Sequence, residues 1–166
     1  MSSTDKNLSD LEQTGQIPNA KDMFFGVVVS EWNHEITFAM ERACIDLLQR
    51  QGVESKNIER IKVPGTFELP LAAKWLLDRQ QKPDGVICLG CVVKGETPHF
   101  DFICDATAHG IMNLGLSTSI PVIFGVITTL DMDQAKDRSG GKHGNKGEEA
   151  AATAIRMAAA RKKLGS

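Results

Sequence analysis

The chain has 166 residues, 42% of them hydrophobic and 24% charged, with a formal net charge of −2. That length fits one domain with a full hydrophobic core, and the near-neutral, interspersed charge excludes a basic, aromatic-laced surface for nucleic acid. The longest apolar runs, residues 23–30 and 120–128, are much shorter than a membrane span, and the polar N-terminus with Asp5, Lys6 and Asp10 is no signal peptide; a cytoplasmic protein is expected.

In chain order, residues 1–20 are polar, contain Gly15 and Pro18, and show no period. They are expected to form a mobile or partner-ordered arm, one outcome being a strand added to a neighbour's sheet. Residues 21–166 are expected to be a single domain. Residues 24–30 (FFGVVVS) read as a strand covered on both faces. Ile36, Ala39, Met40, Ala43, Cys44, Leu47 and Leu48 recur at helical spacing, which predicts a helix over 36–51 ended by Gly52. A second strand is predicted over 58–63, closed by Pro64 and Gly65. A second helix is predicted over 67–80, with Pro70 tolerated in its first turn.

Pro83, Asp84 and Gly85 make a turn into a third strand, 86–93, followed by a helix from His99 to about residue 116. The fourth strand is predicted over 121–128 and a short helix from 131 to about 138. Gly140, Gly141 and Gly144 break that helix, and an Ala-rich helix over 147–164 closes the chain. Its last turn carries Arg161, Lys162 and Lys163. Strands alternating with helices imply parallel pairing through right-handed crossovers. The expected fold is α/β, a three-layer αβα sandwich around a four-stranded parallel sheet, flavodoxin-like.

Cys88 and Cys91 have the CxxC spacing of metal and redox sites. They fall in a predicted strand, where residues three apart point to opposite faces. Two such thiols cannot share a metal, so buried small hydrophobes are expected and no metal is assigned.

Ligands of open parallel sheets bind beyond the carboxyl ends of the strands. Trp32 follows the first strand, where an indole can stack on a planar ring or simply pack. Asn33 is placed to cap the next helix. Residues 95–99, Gly-Glu-Thr-Pro-His, lead from strand to helix, where free N–H groups attract anions. The segment has neither a Walker pattern nor a dinucleotide fingerprint. Histidine is the side chain whose unperturbed pKa lies near neutrality, so His99 is suited to proton transfer, or is an ordinary surface histidine. Arg138 is able to grip phosphate with two parallel bonds, or to serve as an exposed residue at a helix end. Lys142 and Lys146 are further phosphate-side candidates, with solvated surface as their default. Composition and spacing thus reach a single-domain α/β protein with a candidate site for a planar, anionic ligand.

The motifs in combination go further. Glu31-Trp32-Asn33 resembles the (Phe/Trp)-Asn element of lumazine synthases. Residues 63–70 (VPGTFELP) look like that family's V-P-G-(A/S/T)-(F/Y)-E-(I/L)-P segment, and residues 89–100 (LGCVVKGETPHF) resemble its L-G-x-V-(I/V)-(R/K)-G-x-T-x-H-(F/Y) block. Residues 121–126 with Thr128 and Thr129, then Arg138, then Gly144-Asn145-Lys146-Gly147, continue the likeness in order. Lys94 stands where Arg is frequent, and Pro98 occupies a variable position.

The resemblance implies the condensation of 5-amino-6-(ribitylamino)uracil with 3,4-dihydroxy-2-butanone 4-phosphate to 6,7-dimethyl-8-ribityllumazine, the penultimate step of riboflavin biosynthesis, without metal or organic cofactor. It implies that Trp32, with Asn33 beside it, stacks on the pyrimidine and that the backbone at Cys91, Val92 and Val93 bonds the uracil edge. Thr66, Phe67 and Glu68 are then expected to hold the ribityl chain, and Glu96, Thr97 and Arg138 the phosphate. Phe124 is expected to close the aromatic side, and His99 to move the proton.

It also implies small-molecule substrates and self-assembly: a homopentamer with the pocket between subunits, and a 60-subunit icosahedral shell given the short turn at 140–144, with riboflavin synthase as a further candidate partner. Competing expectations are an archaeal-type riboflavin synthase, disfavoured by the phosphate block, and a non-catalytic flavin- or lumazine-binding shell protein, disfavoured by His99 and Arg138. A response-regulator-like domain would need an acidic pair that Glu31 alone does not supply.

Overall fold

The computed structural model describes residues 17–165. The parallel sheet consists of β1 (Phe25–Ser30), β2 (Ile58–Val63), β3 (Gly85–Val93) and β4 (Val122–Thr129), in the order β2-β1-β3-β4. All three pairings are parallel. The helices are α1 (His34–Arg50), α2 (Leu69–Leu77), α3 (His99–Thr118), α4 (Met132–Arg138) and α5 (Lys146–Lys163).

Two cores sit on the two faces of the sheet. Alternation along the strands sends Phe25, Val27, Val29, Ile87 and Leu89 against α1 and α5. Val28, Val86 and their neighbours go against α2 and α3. This is the expected three-layer α/β sandwich. Cys91 belongs to the first core and Cys88 to the second, so the two thiols do point to opposite layers. Burial pushes Cys88 up to about 12 and Cys91 up to about 11, the latter in spite of a hydrogen bond from Asn33. Both are inert neutral groups near pH 7.

The structure sharpens three expectations. The second helix does not run over 67–80. Thr66–Glu68 form a 3₁₀ turn, and α2 occupies only Leu69–Leu77. Pro70 stands in its first turn as expected, but Arg79-Gln80-Gln81 offer no apolar face to bury, and Pro83 follows. The glycine-rich break is a hairpin, β5 (Ser139–Gly141) with β6 (Gly144–Asn145); Gly140 at φ 129° and Gly144 at φ 71° supply the left-handed backbone it needs. Residues 1–16 of the expected arm lie outside the described residues. Ile17 and Ala20 are buried in the α1/α5 core, and Ala20 donates its N–H to Gln51 O at 2.8 Å. The packed body therefore starts before residue 21.

The two edges of the sheet differ. β2 carries Glu59, Arg60 and Lys62, with Lys62 Nζ 4.0 Å over the Phe38 ring and Arg79 paired to Glu59. Such charge blunts an edge against further pairing. β4, with the sequence VIFGVITT, has no charged residue, and Phe124 on it is 43% exposed.

Candidate active site

The strand ends are laced into one rim. Glu31 N donates to Val63 O at 2.8 Å and Trp32 N to Pro64 O at 3.1 Å, closing β1 onto β2. Lys94 N donates to Thr129 O at 2.9 Å, closing β3 onto β4. Asn33 joins the two halves: its Nδ2 donates to Cys91 O at 3.1 Å. That contact excludes the expected side-chain cap, because α1 has no side-chain cap bond at its start. Asn33 instead sits at φ 57°, ψ 45°, a left-handed conformation that Asn tolerates better than most residues.

On this rim Trp32 is 72% exposed. It borders a cavity of about 340 Å³ lined by Glu31, Asn33, His34, Glu35, Ile36 and Met132. His34 and Met132 carried no sequence signal for this role. Met132 reaches the cavity because Asp131 caps α4, accepting from Gln134 N at 2.8 Å, and this fixes the start of that helix.

Thr66, Phe67 and Glu68 form the 3₁₀ turn beyond β2. Thr66 is buried and Phe67 is 56% exposed. Thr66 lies over Gly90 of β3, where an added Cβ would come within 2.9 Å of Thr66 Oγ1. Cys91 is buried, and Val92 and Val93 are half-buried at the end of β3. Glu96, Thr97 and His99 are exposed on the loop into α3. That helix begins after Pro98 with no side-chain cap; Asp101 N donates to Pro98 O at 3.0 Å, which leaves the N–H groups of His99 and Phe100 ahead of it open. Nothing lies within 4 Å of a Cβ built on Gly95. The loop therefore leaves room in front of the helix start.

Phe124 and Lys146 line a different cavity. Phe124 pairs with Cys88, whereas Cys91 pairs with Ile127. Phe124 is therefore about 10 Å back from the rim at the ordinary rise of a strand, on the outer strand. It lines a second cavity, of about 370 Å³, with Lys146, Glu149 and Thr153. Lys146 Nζ pairs with Glu149 at 2.7 Å, a partner the sequence reading did not assign. Arg138 ends α4, and its Nη1 donates to Gln134 O at 3.0 Å. Lys142 is exposed on the hairpin. Asn145 secures this whole corner: its Oδ1 accepts from Gly147 N at 2.9 Å, and its Nδ2 donates to Ser139 O at 2.9 Å and Ala39 O at 3.3 Å. One chain thus gathers Trp32, Asn33, Thr66–Glu68, Cys91–Val93 and the Glu96–His99 segment at one rim. It holds Phe124 and Lys146 apart from the Trp32 cavity.

A polar rim at the carboxyl ends of a parallel sheet, with an exposed indole, an uncapped helix start and a nearby histidine, defines an α/β enzyme of the flavodoxin-like architecture acting on small molecules. The family profile described as 6,7-dimethyl-8-ribityllumazine synthase matches residues 22–162. Proteins named 6,7-dimethyl-8-ribityllumazine synthase from Cytophaga hutchinsonii, Porphyromonas gingivalis and Christiangramia forsetii are 54%, 51% and 48% identical to it. The alignments cover 96%, 92% and 98% of this chain and 98%, 93% and 96% of those proteins. The chain belongs to the 6,7-dimethyl-8-ribityllumazine synthase family, transferases of riboflavin biosynthesis. Among the described residues no helix is long and apolar enough to cross a membrane.

Proposed function

We propose that this chain condenses 5-amino-6-(D-ribitylamino)uracil with 3,4-dihydroxy-2-butanone 4-phosphate to 6,7-dimethyl-8-ribityllumazine at a site built from two copies of itself. The first amine adds to the ketone and one water leaves. Phosphate departs, and the second nitrogen closes the ring on the remaining carbonyl with loss of a second water. Each step needs two molecules held in register more than a strong catalyst, and positioning of this kind supplies of order 7–11 kcal/mol in favourable cases.

The rim offers the matching groups. Trp32 gives an exposed face for the pyrimidine, with Asn33 fixing the loop beside it. The backbone of Cys91, Val92 and Val93 offers donors and acceptors to the uracil edge. Thr66, Phe67 and Glu68 face the ribityl chain, and the open N–H groups around Glu96 and Thr97 suit a dianion. His99, exposed at the first position of α3, moves protons between amine, carbonyl and water. No step calls for a metal or organic cofactor.

The observation that carries the reading is the displacement of Phe124 from the rim on an uncharged, apolar outer strand. A neighbouring copy packed along β4 would bring Phe124 and Arg138 to the next subunit's Trp32 rim, with Lys142 and Lys146 on the phosphate side. A closed ring of such heterologous contacts is the expected assembly, a homopentamer, with a 60-subunit shell as the higher form. A cytoplasmic location, a single domain preceded by an N-terminal arm, and riboflavin synthase as a partner belong to the same reading.

The test is to mix purified protein with both substrates and follow lumazine fluorescence together with phosphate release. Equimolar formation of the two products is expected, and phosphate release without lumazine would overturn the assignment. Light scattering reads the assembly; a monomer at assay concentration would remove the composite site.

A further inference from the structure

The helix that carries His99 is held at its middle rather than near the histidine. None of residues 99–106 is buried, and the only buried residues of α3 are Thr107 and Ile111. The rise of an α-helix puts Thr107 about 12 Å from His99. The placement of the histidine therefore depends on how the middle of α3 is fixed to the body.

Thr107 makes an unusual contact there. Thr37, Thr118 and Thr153 also lie in helices, and each donates its hydroxyl to the carbonyl four residues back in its own helix, at 3.5, 2.6 and 2.8 Å. That is the default for a helical threonine. Thr107 instead donates Oγ1 across to Thr66 O at 3.3 Å, in a fully buried contact. Thr66 O also accepts Leu69 N within the 3₁₀ turn. One turn further along α3, Gly110 lies flush on Pro70, where an added Cβ would come within 2.8 Å of Pro70 Cγ. The joint thus pins the helix bearing His99 to the turn Thr66-Phe67-Glu68 and the proline just after it.

We infer that Thr107 is a positioning residue for the condensation: its hydroxyl, with the Gly110–Pro70 contact, sets His99 against the turn that holds the ribityl chain. The inference rests on the proposed assignment of that turn and of His99. Among the described residues the hydroxyl has no other hydrogen-bond partner, and a buried donor left without an acceptor would be costly. A displacement of about 1 Å between reacting groups is enough to lower turnover by one to two orders of magnitude.

Steady-state kinetics of Thr107→Val, Thr107→Ser and Gly110→Ala test this, each with both substrates varied. Thr107→Val keeps the branched shape and loses the donor. It should lower kcat about tenfold and raise KM for the ribitylaminouracil several-fold, while KM for the butanone phosphate stays within about twofold. Thr107→Ser, which restores the hydroxyl, should recover most of both losses. Gly110→Ala should push α3 off Pro70 and give the same split without touching a hydrogen bond. A merely less stable protein would lower kcat in proportion to the folded fraction and leave both KM values alone. That result, or Thr107→Ser behaving as Thr107→Val, overturns the inference. Glu68→Gln is measured in parallel. An unchanged KM for the ribitylaminouracil in that variant shows that the site reading itself has failed, and the inference fails with it.

Discussion

Asn33 Nδ2 and Cys91 O are 3.1 Å apart, and this single contact ties the loop carrying Trp32 to the end of β3. Asn33 is asked for two things at once: a left-handed backbone and a donor pointing at β3. Asn33→Ala loses both. The expected cost is about 1–3 kcal/mol, for a partly buried carbonyl left without its donor. KM for the ribitylaminouracil should rise with it. Urea unfolding and steady-state kinetics read the two effects, and wild-type values in both would remove Asn33 from the rim's architecture.

His99→Ala should keep substrate binding and lose most, though not all, turnover. A positioned proton-transfer group is worth about 10²–10⁴ in rate, and the positioning supplied by the remaining rim survives its removal. Unchanged kcat would take His99 out of the mechanism.

Arg138→Ala should raise KM chiefly for the butanone phosphate, since the guanidinium is the group suited to a dianion. The proposed sharing of the site between two copies allows a sharper test. Mixed assemblies of His99→Ala chains and Arg138→Ala chains contain some interfaces with both residues intact. At low butanone phosphate such mixtures, refolded together, should be more active than the mean of the two variants assayed separately. No gain in verified mixed assemblies would place both residues in the same subunit's site.

The buried thiols make a pH prediction. Burial raises Cys88 to about 12 and Cys91 to about 11 in the folded chain, against 9.0 for a free thiol. Between those values the unfolded chain gives up protons that the folded chain keeps, so unfolding is favoured as pH rises. Stability is full below about pH 9 and falls from there toward pH 11–12. Melting temperature against pH should show that fall, and Cys88→Ala with Cys91→Ala should make it shallower from a lower starting point. Equal slopes for wild type and variant would sink the attribution to these thiols.

Two glycines with the same letter should behave oppositely. A Cβ on Gly147 would lie 2.0 Å from Met40 O, in the backbone of α1. Gly147→Ala must separate α5 from α1, and a loss of about 3 kcal/mol or more is expected. Gly95→Ala meets nothing within 4 Å and should leave the melting temperature unchanged. Calorimetry of the two variants checks both statements.

Periodicity was enough for the body of the fold. Residues 58–63 were assigned as a strand, and β2 is Ile58–Val63. The other three strands also fell within a residue of their predicted ends, because each is a compact β-rich run bounded by turn residues. The opposite facing of Cys88 and Cys91 followed from the two-residue repeat alone. The rim was legible as a set of segments because strand ends in a parallel sheet share one side. Helix α2 ends before the predicted residue 80 because the polar residues after Leu77 fit a helix locally but have no apolar face to bury.

What the sequence by itself determined is the layering of this chain and the identity of the groups at its rim, since both are written in short-range repeats and local motifs. What only the tertiary structure decided is which of those groups meet. Asn33 reaches Cys91 across 58 positions and Thr107 reaches Thr66 across 41, while Phe124 stands back from the Trp32 cavity on an outer strand. Contacts between distant segments depend on register, side-chain direction and packing depth, and none of these has a signature within a few residues of chain.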